Sequence, residues 1–208
     1  MFVKLPSVYP ITDVQLSGLS HAEQVAQLIA GGATLIQLRE KHLAPHDFYR
    51  DAGVALRIAR KHGVRLIIND RVDIALALGA DGVHLGQTDL PPAAARYLLG
   101  DDAIIGFSTH NLEQIRLAIA LPISYLAIGP IFETSSKHNP DAVVGLEGLQ
   151  RARALIGDIS LVAIGGIMME NVQKVVQAGA DSVAIIKGLL EGSQIEARTR
   201  QMLALARK

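Results

Sequence analysis

The chain has 208 residues, half of them hydrophobic, with only 4% aromatic and no tryptophan. This is enough for a large core built mostly from Ala, Val, Ile and Leu. Twenty basic side chains balance 20 acidic ones, so no net charge exists to attract nucleic acid or an anionic membrane surface. Cysteine is absent, which excludes disulfides, thiolate metal sites and a cysteine nucleophile.

The opening stretch MFVKLPSVYPITD lacks an apolar run followed by a small-residue cleavage site, and no apolar run reaches the roughly 18 residues of a membrane span. A cytoplasmic protein is expected. Short apolar runs then alternate with amphipathic stretches. The predicted strands are 8–12, 34–38, 65–69, 82–86, 103–107, 125–129, 161–165 and 182–186, each apolar on both faces as parallel strands under helices should be. Between them, Ser20 to Glu23 reads as a capping box. Pro91 and Pro92 suit a first helical turn. Gly32, Gly63, Gly79 and Gly179 stand where helices should stop, and residues 145–156 and 171–178 have helical spacing.

Eight strand–helix units of about 26 residues use up the chain, which predicts an α/β fold: one (β/α)8 barrel of the TIM type forming a single catalytic domain over residues 1–208. A short echo supports the count. Gly32-Ala33, Gly79-Ala80 and Gly179-Ala180 each close a helix and open a strand, spaced by about two and four units. A doubly wound open sheet is the structural alternative, but no GxGxxG follows the first strand.

Barrels of this kind carry their chemistry where the strands end. Polar residues collect there: Thr12-Asp13, Gln37 to Lys41, Asn69-Asp70-Arg71, His84 to Asp89, Ser108-Thr109-His110, a loop after strand six with Thr134, Ser135, Ser136 and Lys137, then Gly165-Gly166 and Lys187-Gly188. Gln37, Arg39 and Lys41 share one side of a strand, so an inward placement sends an amide and two cations to the mouth, where they suit a polyanion. Arg39 could instead pair with Glu40 or Glu23. Asp70 and Asp89 end adjacent strands and could ligate a hard cation such as Mg2+, or cap helices. Gly165-Gly166-Ile167 with Ile186 and Lys187 fit a backbone phosphate site, or plain turns. The loop hydroxyls and Lys137 suit a lid over phosphate, or a solvated loop. His84 and His110 are candidate proton-transfer groups, although a strand-end His is commonly structural.

Taken together, YPITD (9–13), QLREK (37–41), IIND (67–70), ADGVHLGQTD (80–89), GFSTH (106–110), GPIFETSSK (129–137), VAIGGI (162–167) and AGADSVAII (178–186) resemble the thiamin phosphate synthase family over nearly the whole chain. The resemblance implies a transferase that joins a pyrimidine pyrophosphate to a thiazole phosphate, releasing pyrophosphate through a pyrimidine methyl cation. It implies Gln37, Arg39, Lys41 and Asn69 at the pyrimidine pyrophosphate, Asp70 and Asp89 on Mg2+, and Ser108 and Lys137 at the reacting centre. Thr134 and Ser136 are implied as lid hydroxyls on thiazole phosphate, with Gly165 or Gly166, Ile186 and Lys187 forming its pocket. Glu133, Ser136 and Lys187 depart from the family's commoner residues. The rival resemblance is to thiazole tautomerases of the same fold, which tend to carry His where Pro130 stands and to lose the region of Asp89. A non-catalytic thiazole-phosphate-binding paralogue is the other alternative.

Overall fold

The computed structural model describes residues 3–134 and 141–207. Eight parallel strands run in sequence order: β1 (Val8–Thr12), β2 (Leu35–Leu38), β3 (Arg65–Asn69), β4 (Gly82–Leu85), β5 (Ile104–Thr109), β6 (Tyr125–Ile128), β7 (Ser160–Ile164) and β8 (Ser182–Ile185). Each pairs with its neighbour and β1 pairs with β8, closing the barrel. The predicted strands therefore stand, with ends moved by two residues or fewer.

Strand alternation separates two cores. Inward positions form a small interior cluster that includes Tyr9, Ile11, Leu35, Ile67, Ile104, Tyr125, Ala127, Val162 and Ala184. Outward positions such as Val8, Ile36, Leu38, Leu66, Ile68, Ile105, Leu126 and Val183 join the helices in the larger core. This follows from the period of two: successive side chains face opposite sides, so a parallel strand under helices must be apolar on both.

The helices are α1 (Val14–Ser17), α2 (His21–Ala30), α3 (Pro45–Lys61), α4 (Val72–Leu78), α5 (Pro92–Leu99), α6 (Leu112–Ala118), α7 (Gly145–Leu155), α8 (Val172–Gln177), α9 (Lys187–Leu190) and α10 (Ile195–Leu205). Ser20 and Glu23 form the expected capping box at α2. Gly32, Gly63, Gly79 and Gly179 all have positive φ, as helix-terminating glycines should. The echo has a physical purpose at two of its sites. Asp81, ahead of β4, accepts from the Leu66 amide at the start of β3. Asp181, ahead of β8, likewise accepts from the Leu161 amide of β7. The short helices α1 and α9 were not expected from periodicity, since four residues are too few to show one. No helix among the described residues is long and apolar enough to cross a membrane.

Candidate active site

A cavity of about 730 Å3 opens at the C-terminal ends of the strands. Twelve of the residues implied by the family resemblance line it, Gln37, Arg39, Lys41, Asn69, Asp70, Asp89, Ser108, Thr134, Gly165, Gly166, Ile186 and Lys187, together with the two candidate histidines, His84 and His110. Ser136 and Lys137 lie outside the described residues. A depression of about 820 Å3 at the opposite end, lined by Lys4, Arg153, Asp181 and Arg207 among others, has different chemistry. Its Arg153 is committed to Asp181 and to the carbonyls of Gly157 and Ile159.

The side after β2 is cationic and tightly braced. Arg39 pairs with Asp13 at 2.8 Å, rather than with Glu40 or Glu23. Asp13 is itself fixed as the N-cap of α1, accepting from Leu16. Glu40 turns away from the mouth. One of its oxygens accepts from the His42 and Leu43 amides, and the other meets buried His21 at 3.2 Å. These contacts hold the turn that presents Lys41. Lys41 in turn bonds to Asp70.

Asp70 and Asp89 face one another across the ends of β3 and β4. Neither caps a helix: Arg71 and Pro91 occupy the cap positions of α4 and α5, without side-chain capping bonds. Asp70 has φ of 60°, alone among the described non-glycine residues in adopting positive φ, a conformation that costs energy and gathers at functional sites. Asn69 donates to its carboxylate at 2.6 Å. Asp89 accepts from the Gly86 amide at 2.7 Å. Burial, and then repulsion from Asp70, hold the Asp89 carboxyl above its ordinary pKa, against the Gly86 bond that favours the anion.

Two crowded carboxylates suit a divalent cation, whose charge relieves that repulsion. Among the described residues, no group of three or more His, Asp or Glu could hold a metal. The donor set therefore fits a hard ion that takes its other ligands from water and phosphate oxygens, as Mg2+ does.

Beneath this rim lies a layer the sequence reading only partly found. His84 Nε2 is 2.7 Å from Ser108 Oγ, and His84 Nδ1 is 2.9 Å from the Tyr125 hydroxyl. Burial lowers the His84 pKa to about 4, which keeps the imidazole neutral. Burial also raises the Tyr9 and Tyr125 phenols well above their ordinary values. Tyr9 and Tyr125 were not singled out from sequence, and Asp13 was noted only as a polar residue ending the first strand. The available signal for the tyrosines was their parity, because Tyr9 shares the inward side of β1 with Ile11. His110, the other candidate, bonds the Gly129 carbonyl at 2.8 Å and lies 3.4 Å from Asp141.

The far wall is formed by the ends of β6, β7 and β8. Backbone bonds from Ile131 to Ile164 and from Phe132 to Gly165 draw the strand-six loop onto the glycine pair. A Cβ at Gly166 would stand 2.5 Å from the Glu133 carbonyl, and one at Gly165 2.5 Å from Pro130, so both must be glycine. Ile11, Ala127, Val162, Ile164, Met168 and Ala184 supply the apolar lining. Lys187 lies 3.6 Å from Glu191, the residue that caps the end of its helix. Nothing in the structure explains Glu133 at the rim.

Residues 8–189 match the family described as thiamine monophosphate synthase. The chain belongs to the thiamine monophosphate synthase family. A family relative named thiamine-phosphate synthase, from Chloroflexus aurantiacus, is 43% identical across 95% of this chain and 91% of its own. Another of that name, from Koribacter versatilis, is 46% identical across 90% of each chain. Among solved structures, a thiamine phosphate pyrophosphorylase from Pyrococcus furiosus superposes with a TM-score of 0.88 at 33% identity, covering 98% of this chain and 96% of its own.

Proposed function

We propose that this chain is a magnesium-dependent thiamin phosphate synthase, acting through one catalytic domain over residues 1–208. In this reading it joins 4-amino-2-methyl-5-(diphosphooxymethyl)pyrimidine to 4-methyl-5-(2-phosphooxyethyl)thiazole and releases pyrophosphate. The observation that carries it is the rim where Asp70 and Asp89 meet beside Lys41 and Arg39. That combination suits a pyrophosphate held by cations and a shared metal ion. Family membership and the relatives' names support the same reaction.

Asp70 and Asp89 would hold the metal, which when bound supplies charge neutralisation of the departing pyrophosphate. Arg39 and Lys41 grip the same group, with Gln37 and Asn69 beside them. Ser108 faces the pyrimidine. The apolar lining from β6, β7 and β8 sheds water, and the glycine pair with Ile186 and Lys187 receives the thiazole phosphate. Thr134 stands at the thiazole phosphate side; Ser136 and Lys137, expected to act with it, lie outside the described residues. The bond from the pyrimidine methylene carbon to the pyrophosphate oxygen breaks, and that carbon bonds to the thiazole nitrogen. No side-chain nucleophile is needed, so the protein contributes alignment and electrostatic stabilisation.

A pyrophosphate-release assay tests the reading. Release should require both substrates and magnesium, with thiamin phosphate formed. Binding of thiazole phosphate with no release would overturn it in favour of a tautomerase or a non-catalytic binding protein.

A further inference from the structure

Five inward side chains from five strands form one hydrogen-bonded row under the mouth. Gln37 Nε2 donates to the Tyr9 hydroxyl at 3.1 Å, and the Tyr9 and Tyr125 hydroxyls are 3.0 Å apart. The row continues through His84 Nδ1 and leaves from His84 Nε2 to Ser108 Oγ. Gln37 and Ser108, its two ends, both line the cavity. Gly106 makes the row possible. The His84 and Tyr125 rings stack with centroids 5.5 Å apart, and a Cβ at Gly106 would stand 2.1 Å from Tyr125 Cζ and 2.5 Å from His84 Nδ1.

We propose that Gln37 sets the direction of this row, making Tyr9, Tyr125 and His84 positioning residues that keep the Ser108 proton free for the bound substrate. The inference deepens the synthase reading, in which Ser108 faces the pyrimidine. Each hydroxyl carries one proton and a neutral imidazole carries one, so the row runs one way or the other. With the Gln37 amide nitrogen donating to Tyr9, the Tyr9 proton turns to Tyr125 and the Tyr125 proton to His84 Nδ1. His84 then bears its proton on Nε2 and donates to Ser108. The Ser108 proton is left pointing into the cavity.

The reverse order is worse. Tyr9, only 1% exposed, would accept from both Gln37 and Tyr125, leaving its own proton without an acceptor among the described residues. An unmade bond at a buried donor favours the first order by a factor on the order of ten or more. The Ser108 proton is therefore available to a substrate acceptor lone pair, which a pyrimidine ring nitrogen has and an amino group bound to the ring lacks.

The test is the His84 tautomer, read from two-bond 1H–15N correlation spectra of the full chain with 15N-labelled histidine. The resonance is assigned by its loss in His84→Gln. The expected result is the Nε2–H tautomer in the unmodified protein and a switch to Nδ1–H in Gln37→Glu. The new carboxylate would accept a hydrogen bond from the Tyr9 hydroxyl and reverse the row. An Nδ1–H tautomer or an imidazolium in the unmodified protein overturns the proposal, as does a tautomer unmoved by Gln37→Glu. Should Gln37→Glu fail to fold, the unmodified spectrum still decides. The spectra need no turnover, so this proposal and the synthase reading fail separately.

Discussion

Asp70 and Asp89 are distinguished less by being acidic than by where their charge is spent, at the mouth beside Lys41, Asn69 and the Gly86 amide. Neither caps a helix, and Asp70 holds a backbone conformation that only a local requirement would maintain. Asp70→Asn and Asp89→Asn keep the shape and remove the charge. Each should lower pyrophosphate release at saturating magnesium by at least about a hundredfold, with the far-UV circular dichroism unchanged. Near-normal turnover in either variant would count against the metal assignment. His84 gives a pH prediction. Burial holds its pKa at about 4 in the folded chain against an ordinary 6.5, so the unfolded chain takes up a proton first as pH falls. The stabilisation is complete above pH 6.5 and is lost as pH drops toward 4, about 3 kcal/mol in all. Urea unfolding across that window should show the loss, and His84→Gln should show a flatter profile. The polar mouth was legible as residue types ending strands. The Tyr9–Tyr125–His84 row was not, because it depends on which inward side chains meet across the barrel, and no short motif records contacts 116 and 41 residues apart.

At the scale of elements, the strands were legible because a parallel strand buried on both faces is a nearly unbroken apolar run, such as Leu35–Leu38 or Tyr125–Ile128. Helix ends were legible where a cap or glycine marked them, as at Ser20 and Gly79. Short α1 escaped, although its Asp13 cap is also the brace for Arg39. Four residues show no period, and the ion pair joins two elements. The turn after β2 was read for Arg39 and Lys41, while the role of Glu40 emerged only with its bonds to the His42 and Leu43 amides. Glu40→Ala leaves both amides without that acceptor and loosens the turn carrying Lys41. It should raise the KM for the pyrimidine pyrophosphate by about tenfold, with a smaller change in the KM for thiazole phosphate. Steady-state kinetics with each substrate varied in turn would show it, and equal changes in both KM values would contradict it.

For the whole molecule, the sequence predicted closure from a count of eight units, and β1 beside β8 is that closure. Charge acts locally here. The chain is formally neutral, and Arg39, Lys41 and Lys187 each lie beside a carboxylate at Asp13, Asp70 and Glu191. Long-range steering of anionic substrates should be weak, so kcat/KM for the pyrimidine pyrophosphate should fall less than about tenfold between low and physiological salt at fixed free magnesium. A steeper fall, measured by pyrophosphate release, would show a field that these pairs do not suggest. The interior row has one more consequence. With no tryptophan present, ultraviolet absorption near 280 nm comes from four tyrosines. Tyr49 and Tyr97 are exposed to solvent, while Tyr9 and Tyr125 sit buried edge-to-face beneath the cavity. A molecule settling onto that floor perturbs the hidden pair and leaves the outer two untouched. The barrel thus carries its own optical gauge of occupancy, readable by difference spectroscopy without any attached dye.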